Sequence, residues 1–273
     1  MRARIPRGLP AHTAGYPRRV LTASGDCLEE NAWICGEYVR EYWPDIATAL
    51  RQHVFLTVVS VGFGMLIAFP LALLVRRFPK TGLPVIGTTT VLYTIPSLAM
   101  FAILQPFTGL DRSTVVIGLT LYSLTILVGN TLAGLRAVPA DAVEAAGGMG
   151  YGPLRLLVAV ELPLALPAIM AGLRVATVST VALATVGAVV GSGGLGNLIQ
   201  SGIDTLFKAQ VLTASVLCVL LAVVFDLVLL LVQRLLTPWT RTPGRRRRRR
   251  LPMPGPAADT AADDLGARPK AAV

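Results

Sequence analysis

Charge is what this sequence has least of. Only 15% of its 273 residues are Asp, Glu, Lys or Arg, against about 25% in an ordinary soluble chain, and 53% are hydrophobic. That balance excludes a typical soluble globular protein and points to a membrane. Histidine is nearly missing: His12 and His53 stand far apart, and the three cysteines keep no ligand spacing with either, so no metal site is expected. Cys218 lies in an apolar run and reads as core packing. Cys27 and Cys35 are either a disulfide or two thiols. Aromatics are 6% of the chain. Trp33, Trp43 and Trp239 fall outside the apolar runs, as interfacial anchors do, and Tyr93 and Tyr122 alone do not make an aromatic cage. The net charge of +10 comes largely from six consecutive arginines at 245–250. Such a block suits a membrane-surface or cytoplasmic tail, and no basic soluble module accompanies it, which excludes a nucleic-acid-binding domain.

What the sequence does have is long apolar runs. Crossing a bilayer as a helix takes about 20 predominantly apolar residues. Five stretches qualify: 54–75, 81–110, 113–135, 164–190 and 209–236. None alternates with period two, and lipid requires internally satisfied backbone, so helices are expected rather than a barrel. Residues 1–45 are expected to be a disordered or weakly structured extension, 46–240 the transmembrane domain, and 241–273 a disordered Arg-, Pro- and Ala-rich tail. Residues 1–35 show no signal-peptide core, and a start codon placed too far upstream is one reading of them. No internal repeat is visible.

Arg76, Arg77 and Lys80 follow the first run, Arg136 and Arg155 separate the third from the fourth, and Arg234, Arg241 and the arginine block follow the fifth. These loops share one side. The positive-inside rule makes it cytoplasmic, with the N-terminus outside and the C-terminus inside.

On the cytoplasmic side the chain breaks into EAAGGMGYGPLRLLVAVELP at 144–163. Glu144, Ala145 and Ala146 favour helix; Gly147, Gly148 and Gly150 interrupt it; residues 154–160 resume it, and Pro163 suits the first turn of the next helix. The spacing predicts two short helices around a glycine turn, with small side chains that let a partner approach closely. Loops longer than about 12–15 residues are uncommon unless they serve a function, which favours a docking element over a plain connector.

That stretch resembles the EAA loop of ABC importer permeases: Glu144-Ala145-Ala146, then Gly150, then Val160, Leu162 and Pro163 at the family spacing. In that family the loop forms coupling helices seated in a groove of the ATPase subunit, a role the resemblance gives to Glu144, Ala145, Ala146, Gly150, Leu162 and Pro163. Tyr93-Thr94-Ile95-Pro96-Ser97-Leu98-Ala99, Gly129-Asn130-Thr131, the run 161–172 and Gly191-Ser192-Gly193-Gly194-Leu195-Gly196 are similar to the branch that carries glycine betaine, carnitine, choline or proline betaine. The resemblance covers roughly 46–235 and implies an all-α fold: the five-helix type I importer core with cytoplasmic coupling helices.

Within the runs, Pro96 is expected to kink or break its helix, with Ser97 meeting a freed carbonyl. Tyr93, Pro96, Ser97 and Asn130 are candidates for the translocation path, and structural glue between helices is the competing role for Asn130. Arg174 and Asp226 are the only ionisable residues deep in the runs. Arg174 lies about 16 Å of helix beyond Pro163 and Asp226 about 12 Å before Arg234, so both sit at similar depth and an ion pair is expected. Gly191 to Gly196 matches a dinucleotide fingerprint only formally, since an apolar run precedes it and Asn197 stands where a P-loop needs Lys. It reads as a tight or re-entrant turn on the outer side.

The expectation is therefore a non-catalytic, multi-pass subunit of a bacterial cell membrane, importing osmoprotectants. The resemblance implies partners: an ABC ATPase subunit that binds ATP and Mg, an extracytoplasmic substrate-binding protein, a second permease (the same chain or a similar one), and membrane lipid. No cofactor is expected in this chain. A permease for another small solute, such as methionine or a phosphonate, and a channel or scaffold with no ATPase are the alternatives. The arginine block is a candidate sensor of ionic strength, because its attraction to anionic lipid weakens as salt rises.

Overall fold

The computed structural model describes residues 27–240. Residues 1–26 of the expected extension, the expected tail 241–273 and the arginine block lie outside the described residues. Helix is the one kind of regular secondary structure among the described residues, joined by turns and short connections, with no strand among them. The helices in order are α1 (Gly36–Glu41), α2 (Trp43–Arg77), α3 (Gly82–Thr94), α4 (Ser97–Thr108), α5 (Arg112–Arg136), α6 (Ala140–Gly148), α7 (Pro153–Leu156), α8 (Leu162–Ala184), α9 (Leu195–Asp204) and α10 (Lys208–Leu236).

Four helical stretches are long and apolar enough to cross a membrane: α2, α5, the run Pro153–Val190 containing α8, and α10. A fifth crossing comes from α3 and α4, which meet at 99°. With 13 and 12 residues, these two are roughly 20 and 18 Å long, and neither spans a hydrocarbon core of about 30 Å alone. Packing shows that together they do. In α2 and α5, Ser60 accepts from Thr120, Gly64 lies against Ser123, and Ala72 and Val75 share a core with Leu127 and Leu132. Both numbers rise together, so α2 and α5 run parallel and the bent pair returns the chain across the bundle. Between α5 and α8 the order reverses: Gly134 meets Ala165, Asn130 meets Gly172, and Val115 meets Gly187. Arg174 pairs with Asp226 and Gln233 with Pro167, so α10 is antiparallel to α8. The five crossings alternate, and the two ends of the described chain lie on opposite sides.

The centre of the bundle is α5, flanked by α2 and α8. Where helices touch, the side chains are small. A Cβ on Gly134 would stand 2.9 Å from the Ala165 carbonyl oxygen, and one on Gly118 would stand 2.6 Å from the Phe101 ring. Lipid tails are as apolar as leucine, so helix association relies on close van der Waals approach of this kind. Only Ala209 and Ala214 of α10 are buried.

The N-terminal boundary differs from the expectation. Residues 27–45 are folded, not weakly structured. Cys27 and Cys35 form a disulfide with Cα atoms 5.5 Å apart. The Asn31 side chain donates to the Leu206 carbonyl at 2.8 Å and accepts from the Lys208 N–H at 2.9 Å. Cys35 and Tyr38 are buried with Ile46 and Ala209. The physical reason is that this segment covers the α9–α10 corner, whose backbone groups would otherwise lack partners.

Candidate functional site

The loop between α5 and α8 is built by its backbone. Helix α6 ends in a Schellman turn: Tyr151 N–H donates to the Ala146 carbonyl at 3.1 Å and Gly150 N–H to the Gly147 carbonyl at 2.9 Å. Such a turn needs one residue in the left-handed region, and Gly150 occupies it at φ +79°. The interval between Glu144 and Gly150 is thus the last turn and a half of a helix plus its stop. Ala146 is buried while Glu144 and Ala145 are exposed, so Ala146 anchors the helix and the other two face outward. Met149 is 69% exposed and Leu154 74%, an apolar rim beside them. The second helix does not end before Pro163. Residues Leu157–Glu161 form a π-helical segment that runs from α7 straight into α8, where Leu162 and Pro163 fill the first turn. Because the helix is continuous there, Pro163, which has no N–H, leaves one carbonyl of the preceding π-helical turn without its helical partner, and the loop's second half is an extension of a transmembrane helix.

One link in this region is not evident from spacing. The buried Glu161 carboxylate accepts from the Arg76 guanidinium at the end of α2. It ties the base of the loop to the first crossing. Its only sequence signal is a charge in the otherwise apolar run that leads into α8.

The candidate path residues gather loosely around the α3–α4 bend. Pro96 sits at the bend, as expected. The freed carbonyl belongs to Ile95, however, and Tyr122 of α5 donates to it; Ser97 makes no such bond among the described residues. The phenol reaches across from a packed neighbour, whereas Ser97 is the first residue of the new helix. Tyr93 packs edge-on against Tyr122 with ring centres 5.9 Å apart. Asn130 donates to its own helix at Ile126, 2.8 Å away, and rests against Gly172. It fills a close helix contact and is separate from the tyrosine pair.

Arg174 and Asp226 meet as the sequence suggests. Nε and Nη2 donate to Oδ1 and Oδ2, each at 2.8 Å, in the bidentate geometry guanidinium and carboxylate share.

At the opposite end from the loop, the glycine run packs on His53, a fully buried residue that spacing did not single out. Its Nε2 lies 3.0 Å from the Val181 carbonyl, and its Nδ1 lies 3.2 Å from the Gly193 carbonyl and 3.3 Å from Leu195 N. A neutral ring protonated on Nε2 donates to Val181 and accepts from Leu195. Gly194, at φ +56°, lies so close that a Cβ would stand 2.8 Å from His53. Asn197 closes the turn: its Oδ1 accepts from Gly193 N–H at 2.9 Å and its Nδ2 donates to the Gly191 carbonyl at 3.3 Å. This run is a backbone-capped turn, and its side-chain cap occupies the position a phosphate-binding lysine would need.

Comparison with known proteins gives a family and a fold. Residues 60–242 match the model of the family described as binding-protein-dependent transport system inner membrane component. The chain is 34% identical over 187 residues to the choline transport system permease protein OpuBB of Bacillus subtilis, covering 68% of this chain and 86% of the relative. It is 35% identical over 210 residues to the glycine betaine/carnitine/choline transport system permease protein OpuCD of the same organism (77% and 92%). It is also 35% identical over 198 residues to the osmoprotectant import permease protein OsmW of Salmonella typhimurium (71% and 92%). Among solved structures, an inward-facing form of the MetNI methionine ABC transporter superposes with a TM-score of 0.64 at 23% identity, covering 72% of this chain and 98% of that one. At that identity the likeness is one of fold, the type I importer permease fold.

Proposed function

The chain belongs to the family of binding-protein-dependent transport system inner membrane components, and from that premise we infer that it is the permease subunit of an ATP-driven importer for osmoprotectants such as glycine betaine, choline, carnitine or proline betaine. The observation that carries this reading is the α6 turn. Glu144 and Ala145 are presented outward on a helix stopped by Gly150, on a loop stiffened by its continuity with α8. Such a knob transmits a push only if something moves it, which calls for a separate ATPase subunit carrying ATP and Mg; this chain is the non-catalytic partner. The names of its relatives supply the solute class.

The mechanism follows from the layout. A loaded extracytoplasmic binding protein docks on the side of α1, α9 and the glycine run. ATP closes the ATPase dimer, and the α6 loop moves α8 and, through Arg76 and Glu161, α2. Two permease chains then alternate between inward- and outward-open forms. The orientation rests on two independent features. The loop side carries Arg76, Arg77, Lys80, Arg136 and Arg155, and cytoplasmic loops are enriched in such cations. The far side carries the Cys27–Cys35 disulfide, and disulfides persist in oxidising compartments outside the cytoplasm. The N-terminus is therefore outside and the C-terminus inside.

Uptake of radiolabelled glycine betaine by cells expressing the transporter tests the function, with Glu144→Arg as the coupling variant. Glu144 is exposed, so the fold is left intact. Uptake should be lost while the variant stays in the membrane. Wild-type uptake of none of these solutes would overturn the solute class, and full uptake by the variant would overturn the coupling role.

A further inference from the structure

The Arg174–Asp226 pair is more open than a structural clamp needs to be. Its side chains are 27% and 35% exposed, at mid-depth in two crossings. They line an open groove of about 450 Å3 together with Ala171, Val175, Val178 and Ser179. Small-molecule sites run roughly from 300 to 1,000 Å3. Charged groups at this depth pair or face a cavity, because facing hydrocarbon is costly. Here both conditions hold at once: the two charges are paired with each other and also turned to an open space.

We propose that this groove is a passage site for zwitterionic solutes, in which a carboxylate meets Arg174 and a quaternary ammonium meets Asp226. The proposal rests on the importer reading above and adds to it a discrimination inside the membrane. A guanidinium has five N–H donors. Asp226 takes two of them, which leaves three for an incoming carboxylate. Asp226 attracts the ammonium by charge alone, since a quaternary nitrogen has no proton to donate. The pair is neutral in sum, so a purely cationic solute gains at Asp226 and loses at Arg174. A zwitterion laid antiparallel to the pair gains at both ends. No aromatic side chain lines the groove, so the hold is weaker than an aromatic cage gives, as a point of transit requires. Ser179 adds a hydroxyl to an otherwise aliphatic wall.

The test is ATP-driven uptake by the complete transporter in proteoliposomes, with the same binding protein throughout, using the zwitterion glycine betaine and the cation choline. Arg174→Gln should lower the betaine-to-choline uptake ratio about tenfold, the effect of one lost charge-assisted hydrogen bond. Asp226→Asn should raise the ratio by slowing choline more. The paired amides Arg174→Gln with Asp226→Asn, which preserve shape, should slow betaine and leave choline within about twofold. Where the wild type carries only one of the two solutes, the single variants are read on that solute beside thermal unfolding in detergent. Slower betaine in Arg174→Gln, or slower choline in Asp226→Asn, supports the site when the melting temperature is unchanged, and slowing with a lowered melting temperature makes the pair a clamp. Equal slowing of both solutes in every variant, or unchanged rates, would make the pair a clamp and overturn the proposal while the importer reading stands. Wild-type uptake of neither solute would overturn both.

Discussion

Gly150 is the residue where backbone geometry meets the proposed coupling role. An L side chain in the left-handed region costs roughly 1–2 kcal/mol. A Cβ there would meet nothing within 4 Å, so the cost falls on the turn's conformation alone. Gly150→Ala should weaken retention of the ATPase subunit during purification, whereas Gly148→Ala, inside the helix and equally unobstructed, should leave it unchanged. Equal retention by both variants would separate the turn from docking. The Arg76–Glu161 pair makes a different prediction. Glu161 has a side chain only 5% exposed, Arg76 one 33% exposed. Arg76→Ala strands a buried carboxylate, while Glu161→Ala leaves a guanidinium that can reach water. Thermal unfolding in detergent should show the arginine variant less stable by roughly 1–2 kcal/mol, with the double variant recovering part of the loss.

Among the elements, the bent α3–α4 pair and the N-terminal clasp depend most on their neighbours. Tyr122 meets the carbonyl that the Pro96 bend frees, so the bend belongs to α5 as much as to its own proline. The clasp of 27–45 lies before the family match begins at residue 60. It nonetheless holds the α9–α10 corner through Asn31 and the core around Cys35 and Tyr38. Closing so short a loop restricts the unfolded chain by about 2.5 kcal/mol. The pair of changes Cys27→Ser and Cys35→Ser should lower the thermal midpoint by several degrees and speed amide exchange at Leu206 to Lys208, where Asn31 binds. Unaltered exchange there would mean that the disulfide is dispensable to the corner.

For the whole molecule the decisive property is sidedness. Crossing parity puts Cys27, Cys35, α9 and the glycine run on one side, and Arg76, the α6 loop and Thr237 on the other. After brief reduction, a membrane-impermeant maleimide applied to whole cells should label Cys27, which is only partly buried. A cysteine placed at the exposed Met149 should react only when the cytoplasmic face is opened. The reverse pattern would invert the orientation and with it the direction of coupling.

Much of this was legible in residue order, because a bilayer constrains a chain through composition. Long apolar runs, their flanking cations and the Glu-Ala-Ala to Gly interval are local signals, and they determined the helical class, the five crossings, the family and the two-helix loop with its glycine stop. Arg174 and Asp226 were legible as a pair because charge at such depth must find a partner, and helical rise places both at one level. What only the tertiary structure decided are contacts between residues far apart in number. They include Glu161 on Arg76, His53 on the glycine run, Tyr122 in place of Ser97 at the bend, and the closed clasp over a corner that shows no pattern of its own. Three of them satisfy backbone groups exposed when a helix ends, bends or turns, and the Glu161–Arg76 pair partners a buried carboxylate. Which neighbour supplies the partner depends on which backbones approach closely, a property of packing that no local spacing records.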